Sequence, residues 1–152
     1  MAINDLTWFE EALAYVQDGD FGSTDTVKVA LITSAVTPTA ADAVPGMNVG
    51  ATTTYTEVTA GGGYTAGGET LDTIANMTTE AAGVMTFDDT GASVTWTKTA
   101  GSPTNCRYAV VYNSSDTGLE RAYCFIDLGA DRDLTAGNIT ITWHANGLSQ
   151  TS

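Results

Sequence analysis

Residues 57–71, EVTAGGGYTAGGETL, can be read in two ways, and the fold follows from the choice. Two glycine clusters, Gly61–Gly63 and Gly67–Gly68, flank a single aromatic, Tyr64. A phosphate-cradling loop needs a Lys-Ser/Thr pair after its glycines and a helix whose N-terminus points at the anion. Neither follows here, because the next residues, ETLDTIA, read as a strand. The alternative takes the glycines as points where the backbone bends or lies against another strand. The stretch is then a β-bulge or a tight strand-to-strand passage, with Tyr64 and Leu71 as the groups it buries.

On both sides of this stretch the strand-forming segments keep a hydrophobic period of two. Thr26–Thr33, TVKVALIT, alternates Val27, Val29 and Leu31 against Lys28 and Ala30, then adds Ile32. This predicts a strand covered on one face and partly on the other. Further strands are expected over residues 52–58, 69–75, 83–88, 93–98, 105–112, 121–128 and 138–144. Turn residues separate them, at Asp89-Thr90-Gly91, Ser114–Gly118 and Thr135–Asn138, and Asn113–Glu120 reads as a hairpin loop. Ser34–Ala51, rich in Pro, Ala and Gly, is expected to be a long loop. At the amino end, Thr7–Gln17 predicts an amphipathic helix. Thr7-x-x-Glu10 matches a capping box, and Phe9, Ala12, Leu13 and Val16 share one face. The expected fold class is therefore mainly β: an antiparallel sandwich or open barrel of about eight strands with one N-terminal helix packed on its side or end. A chain of 152 residues with no linker or repeat reads as one domain, 1–152.

Charge narrows the function. Eighteen acidic against five basic residues give a net charge of −13. Such a surface repels phosphate backbones, and no Lys/Arg cluster reverses the effect locally, so nucleic acid is not an expected partner. The 27 threonines favour pleated surface and give strands a polar outer face without charge. Thr-rich, Lys-poor β surfaces are common in extracellular adhesins and virion proteins. The first sixteen residues, MAINDLTWFEEALAYV, lack a basic n-region and carry glutamates where a secretory segment is apolar. No window approaches the ~18 apolar residues of a membrane span. Cys106 and Cys124 fall on two strands expected to pair, and are expected to be buried, reduced thiols.

His144, the single histidine, follows Trp143 in the last strand with no nucleophile motif to serve. The pairs Asp18/Asp20, Asp88/Asp89 and Asp131/Asp133 lie at expected turns, and none extends into a calcium-loop pattern. Trp96 and Trp143 alternate with threonines, the pattern of inward-facing aromatics rather than a sugar platform. The expectation is a non-enzymatic protein without cofactor or metal.

In order, the chain carries TVKVALITS (26–34), EVTAGGGYTAGGETL (57–71), VTWTKT (94–99), CRYAVVYN (106–113), FIDLG (125–129) and NITITWHANGL (138–148). From Asp25 to Leu148 this series resembles a family of small tailed-bacteriophage structural proteins. Its members run from a "KVALxTS"-like strand through "E(V/I)xGxGYxxGGxxL" to an "RYAVxY…xDFG…xxIxW" half. This chain departs from the pattern with an extra glycine before Tyr64 and with Leu128 in place of phenylalanine. The resemblance implies a virion component, made in the host cytoplasm and attached outside the capsid as a decoration or cement protein. It also implies the major capsid protein as partner and a homotrimer. The candidate assembly residues are then Gly61, Gly62, Gly63, Tyr64, Gly67 and Gly68 of the ribbon, with Pro38 and Pro45 of the long loop. A tail or neck ring component and a glycan-binding adhesin are the alternatives.

Overall fold

Five antiparallel strands form the central sheet of the computed structural model, which describes residues 6–18, 24–73, 78–81, 84–87, 93–143 and 149–151. Thirteen elements follow one another in the chain. They are β1 (Leu6–Trp8), α1 (Glu10–Asp18), β2 (Thr26–Ile32), β3 (Pro45–Gly46), β4 (Thr53–Thr54), β5 (Glu69–Thr73) and β6 (Thr78–Ala81), then β7 (Val84–Phe87), β8 (Ser93–Trp96), β9 (Cys106–Asn113), β10 (Ala122–Arg132), β11 (Ile139–Thr142) and β12 (Ser149–Thr151). The central sheet has the order β1-β10-β9-β2-β5. β8 pairs with β11, β7 pairs with β6 and β12, and the two-residue β3 and β4 pair in parallel.

The three inner strands are apolar almost without interruption, as strands covered on both faces must be. Val27, Val29, Leu31, Ala109, Val111 and Ile126 point to one side, where they meet Trp96, Ile139 and Ile141 of the β8–β11 pair. Ala30, Ile32, Val110 and Phe125 point to the other, where they meet Phe9, Ala12 and Tyr55. The β8–β11 layer is half-buried, so it alternates: Val94 and Trp96 are buried while Ser93 and Thr95 are exposed. The fold is thus the expected mainly antiparallel β arrangement, with one short helix against the sheet.

The register of β10 on β9 shifts twice, between Ala122 and Cys124 and between Asp127 and Arg132. At the first shift, Tyr123 and Cys124 both enter the same core. The register also fixes the cysteines. Cys124 lies opposite Val111, five residues along β9 from Cys106. That is about 17 Å of strand, far beyond the ~7 Å a disulfide can bridge. Both thiols are free and buried.

The N-terminus corrects the expected helix. Thr7 does not cap a helix; it lies in β1 opposite Phe125, and the helix begins at Glu10. The edge of β10 offers Leu6–Trp8 a ladder of backbone hydrogen bonds, which the Phe9 amide continues by donating to Tyr123 O at 3.0 Å. That long-range pairing outweighs a local cap. The freed amide of Glu10 instead donates to Ala40 O at 2.9 Å. Phe9 and Ala12 are buried as expected. The side chains of Leu13 and Val16 lie outside the described residues.

Candidate functional site

The glycine ribbon is an excursion from a broken strand along the edge of β2. Ile32 bridges Glu57, Val58 N donates to Leu31 O at 3.0 Å, and β5 resumes the same antiparallel edge at Val29↔Glu69. Residues 59–68 leave the edge between these points. The gap they open is filled by the Tyr64 hydroxyl, which accepts from Leu31 N at 3.1 Å and donates to Glu57 Oε1 at 2.7 Å. Glu57 Oε1 also accepts from Gly67 N at 2.5 Å, drawing the two ends of the excursion together. The Tyr112 hydroxyl closes the far side by donating to Gly67 O at 2.9 Å.

The excursion reaches across the core to the β8–β11 layer. Gly61 and Tyr64 exchange backbone hydrogen bonds at 2.9 and 3.0 Å, with Gly62 and Gly63 as the turn between them. Gly63 N donates to Ser102 Oγ at 2.8 Å, and a Cβ on Gly63 would stand 1.9 Å from Thr97 O. At the other end, a Cβ on Gly68 would stand 2.0 Å from Val29 O. Between these two backbone contacts the Tyr64 ring is 2% exposed and lies 6.3 Å from the Trp96 ring. Burial, reinforced by the hydrogen bond to Glu57 and its charge, holds the Tyr64 phenol far above its usual range, so it remains a neutral donor. The bulge-like reading of the ribbon holds in kind, and Tyr64 is its anchor.

The long loop packs over the opposite face of the sheet. Tyr55 stacks on Phe9 at 5.8 Å and its hydroxyl donates to Asp42 Oδ2 at 2.7 Å. Glu11 Oε2 accepts from Val44 N at 2.8 Å and from the Tyr15 hydroxyl at 2.6 Å, tying α1 to the loop. Pro38 and Pro45 are buried in this packing, so their contacts are internal to the chain, like those of Tyr64. Gly62 is exposed, and Gly61, Gly63, Gly67 and Gly68 are half-buried. Of the eight candidate assembly residues, six therefore sit together in the ribbon. The two prolines sit in the loop.

Glu57, Ser102 and Glu120 matter more than the sequence suggested. Glu120 has φ 50°, a conformation that favours glycine, and its carboxylate faces Glu57 and Asp116 with Lys28 opposing. Burial, with the Glu57 and Asp116 charges added, raises its pKa above the ordinary glutamate value, an effect that Lys28 opposes. The unfolded chain has no such shift, so the carboxylate destabilises the fold once pH rises through the raised value. Glu120→Gln is expected to stabilise modestly at pH 7 and to be indistinguishable from wild type near pH 3. Glu120→Gly should add relief of left-handed strain, for a gain of up to about 1 kcal/mol that persists at low pH. Urea unfolding at both pH values separates the two contributions.

Trp96, Trp143, Tyr108, Tyr112 and Tyr123 are buried. Asp133 Oδ1 accepts from Thr135 N at 2.8 Å and from its hydroxyl at 2.5 Å, the local turn bonding expected of it. Asp127 pairs with Arg107 and accepts from Gly129 N at 2.6 Å, and these partners hold its carboxyl below the usual range. Burial, with the Asp133 and Asp131 charges added, pushes the Cys106 thiol up to about 11, which keeps it protonated and unreactive at pH 7. His144, Asp20 and Asp88/Asp89 lie outside the described residues. Among the described residues no three His, Cys, Asp or Glu side chains converge as a metal site requires, and no helix is long and apolar enough to cross a membrane. Comparison with protein-family models, with curated proteins and with solved structures finds no match to this chain.

Proposed function

We propose that this chain is a non-enzymatic structural protein of a tailed-bacteriophage virion, which binds the outer surface of the capsid shell through the major capsid protein and stabilises it. One observation carries the reading. The positions that define the resemblance in the ribbon, Glu57, Tyr64, Gly67 and Gly68, are those on which its geometry depends. The likeness therefore falls on shape-determining residues rather than on composition. The acidic composition and the burial of Trp96, Trp143 and the six tyrosines support it further, since those rings are not displayed as a platform for a glycan. A decoration protein acts by mass action: copies that bind the assembled shell and not its dissociated subunits shift rupture to higher temperature. Shells carrying the protein are expected to co-sediment with it and to rupture several degrees later than bare shells. Unchanged rupture and no co-sedimentation would remove the cement reading. Copy number in purified particles separates the shell from a tail or neck ring, since only a shell protein reaches hundreds per virion.

A further inference from the structure

The long loop and the β9–β10 hairpin loop meet backbone to backbone at residues 46–50 and 117–121. Met47 N donates to Glu120 O at 3.1 Å, Asn48 N to Leu119 O at 3.2 Å, and Asn48 Nδ2 to Thr117 O at 3.1 Å. On its own side, Asn48 O accepts from Ala51 N at 3.0 Å and from the Thr54 hydroxyl at 3.1 Å. A Cβ on Gly50 would stand 2.3 Å from Gly118 O, so the two loops approach as closely as backbone allows. At the apex of this braced turn Val49 is 91% exposed, the one large apolar side chain left in water among the described residues.

A valine on the surface needs no explanation by itself. This one is presented with unusual firmness. Among the described residues, Val44 and Glu120 are the two non-glycine positions at positive φ, at 42° and 50°. They stand on either side of the Gly46↔Arg121 bridge that supports the apex. Left-handed backbone is unfavourable for glutamate and more so for a β-branched residue, and it persists where surrounding contacts enforce it, commonly at functional positions. The rim of the apex (Asn48, Gly50, Thr117, Gly118 and Leu119) is uncharged, and the nearby Asp116 is held by Arg121 at 3.5 Å. The rest of the chain carries −13. A second copy would bring an equal negative charge, whereas a positively charged surface around an apolar socket would draw the apex in.

We propose that Val49, on the rigid apex Asn48–Gly50, is the anchor of a docking surface for a partner protein with an apolar socket in a net-positive surround. Resting on the functional reading above, that partner is the exterior of the capsid shell. The proposal is tested by co-sedimentation of the full chain with shells of the phage that encodes it, assembled without the protein, at low and moderate salt. Val49→Asp is expected to weaken binding about ten-fold or more and Val49→Ala a few-fold. Thr104→Asp, the same charge change at another exposed position, should change it little. Because Val49 is 91% exposed, all three variants should melt with wild type. Added salt should weaken wild-type binding. If wild type sediments with shells and Val49→Asp binds within two-fold of it, the proposal is overturned while the functional reading stands. If Val49→Asp instead alters the oligomeric state in sedimentation velocity and leaves shell binding intact, the apex joins copies of the chain and the proposal again fails. If wild type does not bind shells, both fail.

Discussion

Gly68→Ala should destabilise the protein by about 4 kcal/mol, on the order of 10 °C in Tm for a chain of this size. Two costs add at this position. Gly68 has φ 69°, where an added Cβ meets its own backbone, a penalty of roughly 1–2 kcal/mol. The same Cβ would stand 2.0 Å from Val29 O and 2.7 Å from Ala30 Cα. Those atoms belong to the central strand β2, paired on both sides, so they cannot retreat without loosening its ladders with β5 and β9. Gly67→Ala should cost less: at φ 84° it bears the same left-handed penalty, but its Cβ would meet only the flexible end of Lys28 and the Tyr112 hydroxyl, each at 3.5 Å. Gly137→Ala, with nothing within 4 Å, should be nearly neutral. Thermal melts of the three variants test the order. A Gly68→Ala curve that overlays wild type would mean that the ribbon does not lie against the β2 backbone at Gly68 as described.

The three inner strands of the central sheet were legible because they are buried on both faces. TVKVALIT, CRYAVVYN and RAYCFIDL carry too many consecutive apolar residues for any surface element, and turn residues fence each of them. The short elements were not legible. β1 has three residues, and its conformation is decided by the open edge of β10, more than a hundred positions away in sequence. The capping box at Thr7 had only local bonds to offer against that ladder. β3 and β4 have two residues each, and their parallel pairing follows from the packing of the long loop rather than from any period.

The candidate site divides in the same way. Glycine clusters announce close backbone approach, so the ribbon could be recognised as a shaped passage between strands. Its partners could not, because Ser102 lies 39 residues from the Gly63 amide it binds and Leu31 lies 33 residues from the Tyr64 hydroxyl. The feet of the Val49 apex were concealed for a different reason. Left-handed positions are normally read from glycine or asparagine, and here valine and glutamate occupy them. A local rule fails there because tertiary contacts impose the conformation, as the Val44 amide bound to Glu11 illustrates.

Tyr64 concentrates the remaining energy of the ribbon, and two substitutions separate its parts. Tyr64→Phe keeps the ring beside Trp96 but removes the hydroxyl that completes the edge of β2. The Leu31 amide is then a buried donor without its acceptor, and Glu57 loses one of the two donors on Oε1. An unsatisfied buried group costs about 1–3 kcal/mol, so the expected loss is about 2 kcal/mol. Tyr64→Ala also removes a ring that is 2% exposed, leaving a cavity between the central sheet and the β8–β11 layer. Aromatic-to-alanine changes in cores cost about 3–5 kcal/mol, and the orphaned amide places this one at the upper end. Urea unfolding should show both losses at constant slope, and hydrogen exchange should show where they arise. In Tyr64→Phe the Leu31 amide should lose protection, while the Val111 amide, in the β9–β10 ladder, follows global stability alone. A Phe variant within 0.5 kcal/mol of wild type, with Leu31 protection intact, would show that water or another group satisfies the amide. The ribbon would then be held by its glycine contacts alone, and Gly68→Ala would become the sole test of how the excursion is fastened to the sheet.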